Sequence, residues 1–177
     1  MSLTDQLKIT IRDVQGYPKP GIVFKDITPV LANPSLMRKV IAHMVGCYRD
    51  KSIDAVAAIE ARGFILGAIL AHELGCSFIP VRKTGKLPYT TKSQRYDLEY
   101  GSAEIEMHTD AVRPGSRVLI HDDLLATGGT AAAAGRLVKT FGGEIAGFSF
   151  LINLSFLPGS NVIEDEFGLK PDFLVKY

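Results

Sequence analysis

Two adjacent carboxylates, Asp122 and Asp123, follow the apolar run Val118-Leu119-Ile120 and His121, and Leu124-Leu125 leads from them into Ala126, Thr127, Gly128, Gly129 and Thr130. Each part has a separate physical job. A buried strand delivers the acids to the edge of a sheet. The paired glycines let the backbone approach a ligand closely, because they carry no Cβ. Thr127 and Thr130 offer hydroxyls. A helix beginning at Thr130 turns its first N–H groups and the positive end of its dipole toward whatever sits in the turn. That arrangement holds a monoester phosphate, with the acids placed to accept hydrogen bonds from sugar hydroxyls. An anion at one end and hydroxyls at the other describe a 5-phosphoribosyl group. Two other phosphate loops are excluded, since neither Gly-x-x-x-x-Gly-Lys-Ser/Thr nor a strand-borne Gly-x-Gly-x-x-Gly occurs.

Other polar groups gather elsewhere in the chain. Arg62, in Glu60-Ala61-Arg62-Gly63, is a planar donor suited to phosphate oxygens. Arg82, Lys83 and Lys86 lie within five positions after another apolar run, and taken alone they also fit a solvated edge. The polar stretch 84–95 contains Gly85, Pro88, Thr90, Thr91 and Ser93 and reads as a mobile loop. Glu99, beside Tyr100 and Gly101, is the best acid–base candidate, although a Glu judged in isolation is more often solvated. His43, His72 and His108 form no cluster with metal-ligand spacing. His121 reads as a satisfied packing residue and is assigned no role.

The elements that must position these groups are legible from periodicity. Residues 55–59, 77–81, 117–120 and 145–154 are apolar runs that suit strands buried on both faces. Helices are expected over 63–74, stopped by Gly75, and over 130–141, stopped by Gly142-Gly143. The order from residue 55 is strand, helix, strand, hairpin-like insert, strand, helix, strand. That alternation predicts an α/β fold, a doubly wound, mostly parallel sheet flanked by helices. Ligands in such sheets sit beyond the carboxyl ends of the strands. Upstream, Leu3, Leu7, Ile11 and Val14 fall on one helical face, residues 22–27 read as extended, and Asn33-Pro34 starts a helix running to about Asp50.

Composition bounds the function. The 177 residues read as one domain, long enough to bury a sizeable core. Lys and Arg total 20 against 19 for Asp and Glu, so no bulk positive field exists to hold nucleic acid. The longest gap-free apolar run, 63–71, is far short of the ~20 residues a bilayer needs. Polar and acidic residues come too early for a signal peptide, and the two distant cysteines, Cys47 and Cys76, fit a reducing, cytoplasmic setting.

Residues 118–130 are similar to the phosphoribosyl-pyrophosphate (PRPP) signature of the type I phosphoribosyltransferases. Joined with Glu60-Ala61-Arg62-Gly63, with Val81-Arg82-Lys83-Thr84-Gly85-Lys86-Leu87-Pro88, with Tyr96-Asp97-Leu98-Glu99-Tyr100-Gly101 and with residues 17–28, it resembles the adenine branch of that family from about residue 3 to residue 154. The resemblance implies Mg²⁺-dependent conversion of adenine and PRPP to AMP and pyrophosphate, on a two-fold homodimer. It implies phosphate binding by Ala126, Thr127, Gly128, Gly129 and Thr130, ribose binding by Asp122 and Asp123, and pyrophosphate binding by Arg62, Arg82, Lys83 and Lys86. It makes residues 84–95 a flexible lid, Glu99 the group that manages the adenine proton, and Val23, Phe24 and Lys25 the base-binding part of an N-terminal hood. The single domain then divides into a hood over about 1–32, a core over about 33–154 and a tail, 155–177, of open role. Mg²⁺ enters with the substrate phosphates, with no dedicated protein cage. Transfer to xanthine, guanine or orotate is the alternative in the same class, and a PRPP-binding transcriptional regulator is the alternative in another.

Overall fold

A computed structural model describes residues 1–97 and 101–177. The chain forms two compact units, Met1–His43 and Met44–Tyr177. In the first, α1 (Leu3–Thr10) is opened by a capping box in which the Ser2 hydroxyl and the Asp5 carboxylate each accept the other's backbone N–H. It ends earlier than the apolar spacing predicts. Ile11 is already extended, and Val14 belongs to β1 (Arg12–Gln15), paired antiparallel with β2 (Val23–Asp26). Hairpin pairing overrides a helical period that spans only one residue beyond Ile11. A short α2 (Thr28–Leu31) leads to α3 (Pro34–Tyr48), where Asn33 caps the start by accepting from the Leu36 N–H at 3.1 Å.

The second unit is built on a seven-stranded sheet. Its elements are β3 (Ala55–Ile59), α4 (Gly63–Leu74), β4 (Ser77–Lys83), β5 (Thr91–Asp97), β6 (Ser102–His108), β7 (Arg117–Leu125), α5 (Gly129–Thr140), β8 (Glu144–Asn153), α6 (Gly159–Phe167) and β9 (Asp172–Lys176). The strand order is β5-β6-β4-β3-β7-β8-β9. From β4 to β9 all neighbours are parallel, and the β5–β6 hairpin joins β4 antiparallel, so the expected mostly parallel α/β sheet is present.

Alternation divides the central strands between two helix layers. Ala55, Ala57, Ile59, Val118, Ile120, Phe148 and Phe150 pack with the alanines and Leu137 of α5. Ala58 and His121 face α4, which comes so close that only a glycine fits at position 67. The end of α3 is tied to the sheet edge, where buried Tyr48 donates to Asp172 Oδ2 at 2.7 Å. No helix among the described residues is long and apolar enough to cross a membrane.

Three expectations need correction. β7 does not stop at Ile120 but runs to Leu125, because β8 pairs alongside it as far as Asn153, and Asp122 and Asp123 therefore stand inside the strand. Residues 84–95 are not a loop throughout, since β5 begins at Thr91 and its Thr91 and Ser93 hydroxyls bond to β6 carboxylates. The tail, left without elements, supplies α6 and the edge strand β9.

Gly67 provides a test of the layer contact. A Cβ there would stand 2.5 Å from Ala58 Cβ, an atom fixed to the sheet backbone. Gly67→Ala is expected to lower unfolding free energy by about 1–3 kcal/mol in urea titrations, the usual cost of overpacking.

Candidate active site

Parallel pairing sets the ends of β3, β4 and β7 beside one another, with Ile59 opposite Val81 and Ala58 opposite His121. The groups that follow these strand ends then meet. Arg62 Nε donates to Asp123 Oδ2 at 2.5 Å, joining the start of α4 to the tip of β7. Arg82 Nε donates to Glu60 Oε2 at 2.7 Å, joining β4 to the same connection. Gly63 is required where α4 begins, because a Cβ would lie 2.8 Å from Asp122 Oδ1 and 3.1 Å from its Cα.

Asp122 turns its carboxyl back on the neighbouring backbone and accepts from the Asp123 N–H at 2.8 Å. Burial raises its pKa well above the ordinary carboxylate range, the adjacent Asp123 charge adds to this, and Arg62 opposes it.

Beyond Leu125 the chain turns through Ala126 and Thr127 to Gly128, whose φ of 86° favours glycine, and α5 starts at Gly129. A pocket of about 80 Å³ opens here, with Asp122, Ala126, Thr127, Gly128 and Thr130 in its wall. A phosphate in that turn would face the first N–H groups of α5. The turn is braced by the tail. Gly159 N donates to Ala126 O at 3.1 Å, and a Cβ on Gly128 would come within 2.9 Å of Gly159 O. Next to it a cleft of about 490 Å³ lies between Thr127 and Gly129 on one side and Arg95, Tyr96 and Asp97 on the other.

The structure thus brings together Arg62, Arg82, Asp122, Asp123 and the loop Ala126-Thr127-Gly128-Gly129-Thr130. Lys83 and Lys86 lie exposed on the same β4 connection as Arg82. Glu99 lies outside the described residues. Val23, Phe24 and Lys25 belong to β2 in the N-terminal unit. There Phe24 meets Tyr17 edge to face at 5.1 Å, and the Lys25 ammonium is bonded to Asp13 at 2.7 Å. Among the described residues, no three His, Cys, Asp or Glu side chains gather as a metal site.

His121 is not the satisfied packing residue expected. It is completely buried, and neither ring nitrogen makes a hydrogen bond of ordinary length among the described residues. Burial lowers its pKa to about 4, against the pull of Asp123 and of the Ser149 backbone. Sequence reading also passed over Glu60, Gly159 and Glu106. The last sits in the alternating run Glu104-Ile105-Glu106-Met107, a pattern that reads as solvent-facing. Glu106 is only 3% exposed, because residues 86–91 fold over it.

The chain matches the model of the phosphoribosyl transferase domain over residues 26–157. It is 54% identical to an adenine phosphoribosyltransferase of Myxococcus xanthus over 165 residues, covering 90% of each chain. The crystal structure of the adenine phosphoribosyltransferase of Rhodothermus marinus superposes with a TM-score of 0.94 at 49% identity, covering 99% of this chain and 98% of that one. The Saccharomyces cerevisiae enzyme, solved with an imino-altritol bisphosphate and adenine, has a TM-score of 0.88 at 36% identity, covering 97% and 98%.

The buried imidazole makes a pH prediction. Its folded pKa lies below the unfolded value of about 6.5, so the unfolded chain binds more protons between the two. The contribution of His121 to stability is therefore complete above about pH 6.5 and is lost as pH falls toward 4. Between pH 7 and pH 5 the wild type is expected to lose about 2 kcal/mol more than His121→Leu in parallel urea titrations. Equal losses in the two proteins would remove His121 as the cause.

Proposed function

The chain belongs to the phosphoribosyltransferase family, as one of its adenine phosphoribosyltransferases, and from that premise we propose how its residues divide the reaction. The enzyme transfers the 5-phosphoribosyl group of PRPP to adenine, giving AMP and pyrophosphate, a purine-salvage reaction. The observation that carries the assignment of roles is the β7–α5 connection, where two acids, a small phosphate-sized turn and a helix N-terminus follow in one short segment.

On this reading Ala126, Thr127, Gly128, Gly129 and Thr130 hold the 5-phosphate, and Asp122 and Asp123 hold the ribose hydroxyls. The 5-phosphate and the hydroxyls then fix the sugar at both ends, so that its anomeric carbon is oriented for substitution. The bond from that carbon to the pyrophosphate oxygen breaks, and a bond to an imidazole nitrogen of adenine forms. Arg62, Arg82, Lys83 and Lys86 take up the charge that grows on the leaving pyrophosphate. Arg62 and Arg82 wait on Asp123 and Glu60, which hold the guanidinium groups in place before substrate arrives. Glu99 takes or shares the imidazole proton of adenine, a role drawn from the family resemblance. The β4–β5 connection, held to β6 by Glu106, shields the site from water, because an oxocarbenium-like ribosyl centre must be kept dry.

Base recognition is assigned to Val23, Phe24 and Lys25. Phe24 stacks on the ring and backbone groups of this segment read the base edge, as the family resemblance implies. Mg²⁺ fits the hard oxygen groups beside the loop. Asp122 and Asp123 would help hold it beside the phosphate oxygens of PRPP, with no dedicated protein cage. When bound, it neutralises charge on the departing pyrophosphate.

We propose a homodimer through the outer face of α4 and the neighbouring part of β4. Ile65 is 41% exposed and Phe78 38%, and Phe78 packs edge to face with Phe64, an apolar surface that water covers at a cost. A cytoplasmic location agrees with two free thiols at Cys47 and Cys76.

Pyrophosphate release with PRPP and Mg²⁺, run in parallel with adenine, hypoxanthine, guanine, xanthine and orotate, tests the substrate assignment. Turnover is expected with adenine, and a 6-oxo base is expected to be slower by a factor on the order of 10⁴, as when a site's hydrogen-bonding groups are left unpaired. Turnover of a 6-oxo base would overturn the assignment of the hairpin as selector. PRPP binding with no turnover of any base would favour a regulator.

A further inference from the structure

We propose that Glu106 is a positioning residue for pyrophosphate binding, holding the backbone of the β4–β5 connection so that its cations stand in one fixed arrangement. The proposal rests on the reading of Arg82, Lys83 and Lys86 as the pyrophosphate cations.

Three observations converge on this carboxylate. Glu106 Oε1 accepts from both the Lys86 and the Leu87 N–H at 3.0 Å, and Oε2 accepts from the Thr91 hydroxyl at 2.9 Å. Glu106 also pairs with Arg82 across the β4–β6 ladder, and Arg82 Nη1 donates to Lys86 O at 2.9 Å. The backbone of Lys86 is thus gripped from both sides, its N–H by Glu106 and its carbonyl by Arg82. Finally, Glu104 repeats the pattern nearer the surface, accepting from Thr84 Oγ1 at 3.2 Å and from Ser93 Oγ at 2.6 Å.

Closing a turn does not by itself require a buried carboxylate, since an apolar side chain would pack there without desolvating a charge. What the carboxylate supplies is acceptor capacity. It satisfies two backbone N–H groups and a hydroxyl at once, which leaves the side chains of Lys83 and Lys86 outside, and both are exposed. Its negative charge also offsets repulsion among three neighbouring cations. Burial pushes the Glu106 carboxyl up, but hydrogen bonds from Leu87, Thr91, Gly85 and Lys86 outweigh it and hold the group below the ordinary range, so it is ionised at neutral pH. A rigid turn binds pyrophosphate without first ordering its backbone, the general advantage of a preorganised site.

The test uses the full-length enzyme with Glu106→Leu, Glu106→Gln, Thr91→Val and Lys86→Ala, each measured for KM of PRPP, KM of adenine, kcat and melting temperature. Glu106→Leu is expected to raise KM for PRPP about tenfold and to leave KM for adenine within about twofold. Glu106→Gln keeps an acceptor for both N–H groups and is expected to restore KM for PRPP to within about threefold. Thr91→Val removes one donor and is expected to give a smaller rise in the same constant, which keeps the proposal open to refutation should Glu106→Leu fail to fold. An unchanged KM for PRPP in both Glu106→Leu and Thr91→Val, or equal rises for PRPP and adenine, would overturn the positioning role. Lys86→Ala separates the two levels. A raised KM for PRPP there with no effect at Glu106 overturns only the positioning role, whereas an unchanged KM for PRPP in Lys86→Ala overturns the cation reading beneath it.

Discussion

A parallel strand bonded on both sides cannot slide without breaking both ladders, and β3 is held in this way by β4 and β7. The site depends on that constraint. Because Ile59 lies opposite Val81 and Ala58 opposite His121, the chain leaving β3 emerges beside Arg82 of one neighbour and the Asp122-Asp123 pair of the other. Arg62 reaches Asp123 and Arg82 reaches Glu60 because the chain leaving β3 is held between two strands that run on beyond it. A slip of one residue would turn the side chains of β3 onto the wrong faces of the sheet. It would also pull the two ion pairs apart.

Two kinds of brace convert that placement into a rigid site. Glycines let backbones meet where side chains would keep them apart, at Gly63 against Asp122 and at Gly128 against Gly159. Carboxylates then fix groups that are otherwise mobile, with Asp123 holding one guanidinium and Glu60 another. Opposite charges are therefore already paired before a highly charged substrate arrives. On the proposed assignment, incoming phosphate oxygens replace carboxylates as partners of guanidinium groups that are already oriented. That is electrostatic preorganisation, the largest contribution expected where little covalent chemistry is asked of the protein.

Much of this was legible in the sequence, and the limits have physical causes. β3 and α4 occupy the ranges that the apolar run and the stop at Gly75 predict, because a short buried strand and a left-handed helix cap are local signals. The turn at Gly128-Gly129 that opens α5 was equally local. The length of β7 was not, since two adjacent acids have poor strand propensity and only pairing with β8 keeps them extended. Glu106 carried no signal, because alternation reports which side of a strand a residue takes and is silent about another segment folding over that side. The tail carried no motif, because what it supplies, the edge strand β9 and the contact of Gly159 with the Ala126–Gly128 turn, is tertiary. The complete burial of His121 is likewise a property of its tertiary surroundings.

The central claim is that the start of α4 and the tip of β7 act on PRPP as one unit through Arg62 and Asp123. A double-mutant cycle in PRPP affinity measures this directly, using calorimetric titration of the wild type, Arg62→Ala, Asp123→Asn and the double variant. The account predicts a coupling free energy of about 1 kcal/mol or more, the double variant losing less affinity than the two single losses added together. Losses that simply add would contradict it, because they would mean that the two groups meet the substrate independently.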